Sequence, residues 1–213
     1  MPKKNLVVFR NKSKVNSLAT QRKKSGRLNY LTLREKLEGM DEIAALSTCR
    51  QIFSKSKDRL ILHTALKFII PLAFKKSELA VKLLEIVATE SKDYTVRQSA
   101  AGKFWFLVEE GIPISLLTLK KMRKDPVPAN REMALGAALA MARKGNQAVL
   151  SEFVYAIRNE KFITPWETAE MGLKELAKQG NKPAQIMVQG IKEGKYSKPT
   201  RLIWNLKELG IKE

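Results

Sequence analysis

Cysteine and histidine are almost absent from this chain: Cys49 and His63 are the only ones in 213 residues. A lone cysteine excludes an internal disulfide and points weakly to a reducing compartment. One cysteine and one histidine fall short of the four nitrogen or sulfur ligands that a structural zinc site usually takes, so no metal is expected. Any nucleophile activated by histidine would depend on His63, which lies in an apolar stretch and reads as a packed or locally hydrogen-bonded side chain. There is neither a phosphate loop nor a G-x-S-x-G elbow, and no cofactor is implied. Long hydrophobic runs are missing too. The longest, Leu60 to Phe74, is interrupted by His63, Lys67 and Pro71, so it reads as a buried helix and no membrane partner is expected.

Acid is missing from the N-terminal stretch. Nine cations (Lys3, Lys4, Arg10, Lys12, Lys14, Arg22, Lys23, Lys24 and Arg27) come before Arg34, with no acid until Glu35. Residues 1–29 have few apolar side chains and several Ser and Asn, and are expected to form a disordered basic arm. No apolar segment follows the cations, which argues against a secretory signal, and Pro2-Lys3-Lys4 makes a poor start for a mitochondrial presequence. The run Gln21 to Arg27, QRKKSGR, suits a phosphate-binding arm or, in a eukaryote, a nuclear address. The expected location is intracellular, in cytoplasm or nucleoid, or in the nucleus of a eukaryote.

What the chain does have is a repeat. Units of 30 to 37 residues recur from about Met40 to Gly210, the later ones closing on Gly111, Gly145, Gly180 and Gly210. Counting back from each glycine, the fourth position holds Leu107, Met141, Leu176 and Leu206. The seventh holds Phe104, Ala138, Leu173 and Ile203, and the eleventh Ala100, Ala134, Ala169 and Pro199. These steps fall on one helix face and predict a core shared between neighbouring units. Glycine suits the helix end because a residue without Cβ enters the left-handed region at little cost. A degenerate first unit, Met40 to Lys76, lacks the terminal glycine. The expectation is all-α: one right-handed α-solenoid domain of about five helical pairs over residues 30–213.

Asp93, Val96, Arg97 and Ala100 in DYTVRQSAA, echoed by Asp125, Arg131 and Ala134 in DPVPANREMA, resemble the HEAT-like repeat family. The resemblance covers roughly residues 40–210 and implies a fold more than a function. The later units depart from it, with Trp166-Glu167 and Thr200-Arg201 near the place of the Val-Arg pair. In this family the Asp and Arg are expected to stabilise turns and stacking.

Forty Lys and Arg against 21 Asp and Glu give a net charge of +19 and a sequence pI near 10.1, which makes nucleic acid the leading partner. Cations gather at the turn between the two helices of each unit. The sets are Lys55, Lys57 and Arg59; Lys92 and Arg97; Lys120, Lys121, Arg123 and Lys124; Arg158 and Lys161; and Lys192, Lys195 and Lys198. Stacking helices about 8–10 Å apart would align them into a basic row, with Arg22, Lys23, Lys24 and Arg27 of the arm adding to it. The expected function is nonenzymatic, largely sequence-independent binding of DNA or RNA through backbone phosphates, with other protein subunits as further candidate partners. No helix-turn-helix, zinc finger or RNA-recognition motif is present to read bases.

Two alternatives stand beside this one. Trp105 and Glu109, one helical turn apart in WFLVEEG, resemble the tryptophan and aspartate of HEAT-like DNA alkylation-repair glycosylases, with Trp166 and Arg131 as looser counterparts. That resemblance implies a carboxylate stabilising a cationic sugar-like transition state. The other alternative is a protein-interaction scaffold whose groove grips an acidic peptide or a partner helix.

Overall fold

The computed structural model describes residues 30–201. The arm cations Arg22, Lys23, Lys24 and Arg27 lie outside the described residues, as do Ile203, Leu206 and Gly210. The described chain is all-α. Helix α1 (Tyr30–Glu38) is followed by α2 (Glu42–Lys55), α3 (Arg59–Phe74), α4 (Glu78–Glu90), α5 (Tyr94–Ala101) and α6 (Phe104–Glu109). Next come α7 (Leu116–Met122), α8 (Pro128–Arg143), α9 (Leu150–Asn159), α10 (Ile163–Lys178) and α11 (Lys182–Lys192). No strand occurs among the described residues; an isolated bridge joins Phe162 to Arg201.

The stretches closed by Gly111, Gly145 and Gly180 each contain a first helix, a turn and a second helix, the second helix of the first being broken into two. Ser and Asp caps start many of them: Asp41, Asp58, Ser77, Asp93 and Ser115 each accept a backbone N–H of the first turn, satisfying donors the helix leaves unpaired. The second helices end alike. Gly111, Gly145 and Gly180 have φ of 76°, 85° and 84°, and the next N–H turns back onto Leu107, Met141 and Leu176. At the first unit the same place is held by Lys76, at φ 65°, and Ser77 N–H reaches the Leu72 carbonyl at 3.1 Å. The helix stop is therefore kept without glycine, at the steric cost of a Cβ in the left-handed region.

Packing follows the helical steps. Leu107, Phe104, Leu173, Leu176, Ala100, Ala138 and Ala169 are fully buried. Consecutive second helices touch, α3 with α5, α5 and α6 with α8, and α8 with α10, while first helices α2, α4 and α7 also meet in order. Gly172 in α10 allows one close approach: a Cβ there would lie 2.3 Å from the Phe153 ring of α9. The second helix of the Ser77–Gly111 stretch is interrupted at Gly102-Lys103, so that α5 and α6 meet α8 as two short segments. The apolar stretch Leu60 to Phe74 forms α3, burying Leu62, Ala65, Leu66, Ile69 and Ala73. Among the described residues no helix is long and apolar enough to cross a membrane.

Candidate nucleic-acid interface

The turns between first and second helices adjoin one another, and carboxylate–cation pairs tie each to the next. Arg59, at the start of α3, donates from Nε to Asp93 at 2.6 Å. Arg97 grips Asp125 with two bonds, Nε at 2.6 Å and Nη2 at 3.1 Å, and sends Nη1 to the Ser91 carbonyl at 2.7 Å. Arg131 repeats the arrangement one unit on, with Nε and Nη2 on Glu160 at 2.7 Å each and Nη1 on the Asp125 carbonyl at 2.8 Å. The acids also hold turns: Asp93 caps α5, Asp125 accepts Val127 N–H, and Glu160 accepts the N–H groups of Lys161 and Phe162. Planar two-bond pairing of this kind is what guanidinium does and ammonium cannot.

Burial would lift the Asp93 carboxyl, but bonds from the Thr95 hydroxyl, Arg59 and the N–H groups of Thr95 and Val96 outweigh it and bring the pKa down to about 2. In the next unit Trp166 takes the arginine's place, fully packed, its indole N–H on the Ile157 carbonyl at 3.3 Å. The looser analogy of Trp166 to a cleft aromatic therefore fails on burial, and Arg131 is bound to Glu160. Lys198 and Glu167, 2.6 Å apart on the surface, link the last described turns.

Arg123 belongs to the same internal framework. Its Nη1 meets both oxygens of the buried Glu152 at 3.2 Å, and its guanidinium lies 4.3 Å from the Tyr155 ring centre. Of the cations read as a basic row, Arg59, Arg97 and Arg123 are thus engaged across units. Lys121, Lys195 and Lys198 pair at the surface with Glu90, Glu193 and Glu167. Lys55, Lys57, Lys92, Lys120, Lys124, Arg158, Lys161 and Lys192 are exposed and make no ion pair among the described residues. The opposite edge carries Lys75, Lys76, Arg143 and Lys144, but beside the exposed acids Glu42, Glu78, Glu109 and Glu110.

The aromatic run Phe104-Trp105-Phe106 divides. Phe104 is core, Phe106 is exposed, and Trp105 is half-buried, its ring against Gly136 with the Arg143 guanidinium 5.1 Å from the ring centre. Glu109 is exposed, and its backbone carbonyl receives Lys144 Nζ at 2.8 Å. A residue the sequence did not single out is Glu132, half-buried on α8 one turn before Gly136, whose carboxyl is raised by burial. It makes no ion pair among the described residues, and no spacing signal marks it. His63 Nε2 lies 3.4 Å from the Thr95 hydroxyl, and burial pushes the Cys49 thiol up to about 12, which makes it a poor nucleophile.

Between the turns that follow α7 and α9 the edge opens into a cavity of about 360 Å³. Lys124, Lys161 and Asn159 are exposed among its lining residues, and Leu135, Tyr155 and Phe162 supply apolar surface. No protein-family model, no curated protein and no solved structure matches this chain.

Proposed function

We propose that the chain is a HEAT-like α-solenoid that binds nucleic acid along its inter-helix turns, through backbone phosphates and without base readout, and that it is not an enzyme. One observation carries the reading: at successive turns Arg59, Arg97 and Arg131 are bound to neighbouring carboxylates, while Lys57, Lys92 and Lys124 beside them are exposed and make no ion pair among the described residues. Lysine is a hydrated point charge on a flexible stem, suited to phosphates whose spacing varies and whose sequence is not read. The N-terminal arm adds cations to the same task.

The test is a salt titration with single-stranded and double-stranded DNA and RNA, using heparin as a polyanion control. If six to ten phosphates are neutralised, affinity falls by roughly 10³ to 10⁵ between 50 and 200 mM salt. Reversing Lys55, Lys57, Lys120 and Lys124 to Glu lowers both affinity and slope. Unchanged binding shifts the reading to the protein scaffold, which has its own support. Ile43, Leu79 and Leu117, each the second residue of its helix, are 70%, 50% and 65% exposed. The glycosylase reading is rejected if the parent releases no base from alkylated DNA carrying several lesions; any release is compared with Glu109→Gln.

A further inference from the structure

We infer that the cavity between the α7–α8 and α9–α10 turns takes one unpaired nucleotide, its phosphate at the mouth and its base against the floor. The inference rests on the phosphate-binding reading of the turn edge and adds a ligand class to it. Three features converge there.

The mouth carries Lys124 and Lys161, exposed and without an ion pair among the described residues, one from each of two successive turns. The floor is apolar and partly aromatic: Leu135 is 2% exposed, Phe162 7%, and Tyr155 half-buried. A volume of about 360 Å³ lies within the range of roughly 300–1,000 Å³ for small-molecule sites.

The floor is also held in place. The guanidinium of Arg123 lies 4.3 Å from the Tyr155 ring centre and is fixed by Glu152; that of Arg131 lies 5.6 Å from the Phe162 ring centre and is fixed by Glu160. Both rings are therefore ordered before any ligand arrives, which reduces what binding must immobilise. Arg123 covers one face of Tyr155, and the half-buried ring still lines the cavity beside it. Stacking on aromatic side chains is tolerant of base identity, consistent with a surface that reads no sequence.

Inorganic phosphate alone has no use for the apolar floor, and an acidic peptide side chain has no flat ring to lay on it. Asn159 adds an amide at the mouth, its Nδ2 donating to the Tyr155 carbonyl at 2.8 Å.

The experiment is calorimetric titration of the full chain with a nucleoside 5′-monophosphate, the unphosphorylated nucleoside, inorganic phosphate and phosphotyrosine. The nucleotide is expected to bind at least tenfold more tightly than each of the others. Lys161→Glu and Asn159→Trp, the second filling the mouth, each weaken it about tenfold, and Lys75→Glu, on the opposite edge, leaves it unchanged. Thermal melting checks that the variants fold, and Lys161→Glu carries the test if Asn159→Trp does not. Equal affinity for inorganic phosphate and nucleotide overturns the base site, and phosphotyrosine matching the nucleotide reassigns the cavity to a phosphopeptide. Salt-dependent polymer binding without nucleotide binding removes the cavity site alone. Nucleotide binding without polymer binding removes the turn-edge reading and keeps the site.

Discussion

Arg97 and Lys92 belong to the same turn, five residues apart, yet their surroundings differ. The Arg97 side chain is 12% exposed, held by Asp125 of the next unit and by the Ser91 carbonyl. Lys92 is exposed and makes no ion pair among the described residues. The division recurs at the next turn, where Arg131 is 15% exposed on Glu160 while Lys124, and Lys161 one turn further on, stand out in solvent. An inner row of guanidiniums joins one turn to the next, and an outer rim of ammoniums stands in solvent. Net charge by itself does not separate the two, since every one of these side chains counts as +1.

The sharpest way to break the comparison is Asp125→Ala. This removes a buried two-bond partner of Arg97, the acceptor of Val127 N–H and the acceptor of Asn130 Nδ2 at once. Leaving Arg97 buried and unpaired is expected to cost about 3–5 kcal/mol in chemical denaturation. Lys121→Ala, which loses only an exposed pair, changes stability by at most about 1 kcal/mol.

A second test compares the rows by function. Arg123→Glu sets a carboxylate against buried Glu152 and is expected to lower Tm sharply, whereas Lys120→Glu with Lys124→Glu keeps Tm and lowers the salt slope of polymer binding by about one per lost phosphate contact.

Helix ends supply a smaller pair of effects. Gly145→Ala forces a Cβ into φ 85° and is expected to destabilise by about 1 kcal/mol, while Lys76→Gly relieves φ 65° and stabilises by up to a similar amount.

Titration supplies the last test, with opposite signs at two carboxyls. Asp93 has a folded pKa of about 2, below its ordinary value of 3.8, so its contribution is present above about pH 4 and is lost as pH falls toward 2. Glu132 is raised, so its ionisation opposes folding: its effect is most favourable below its unfolded pKa and turns against the fold as pH rises through the folded value. Glu132→Gln is therefore expected to raise Tm near neutral pH and to leave it unchanged in acid.

Much of the local structure is legible in residue spacing. Leu107, Phe104 and Ala100 count back from Gly111 on one face and are buried, and Gly111, Gly145 and Gly180 lie where a helix must stop. Both follow from the helical period and from backbone sterics, which act within a few residues. Lys76 escaped because any residue can be driven to positive φ when its neighbours hold the turn, and Pro199 is only half-buried where the same count predicts core. The break at Gly102-Lys103 went unseen because the apolar spacing runs on through it.

The candidate site was legible as a row of cations at the turns, and not as a pattern of pairing within it. The sequence alone determined the helical period, the helix stops, the excess of Lys and Arg, and the gathering of that excess near turns. Tertiary structure decided which cations among the described residues are engaged by acids and which make no ion pair. Arg59 finds Asp93, Arg97 finds Asp125 and Arg131 finds Glu160 across 34, 28 and 29 residues, distances along the chain that no local pattern spans. Pairing depends on how closely two folded turns approach, and only packing of the helices between them sets that approach.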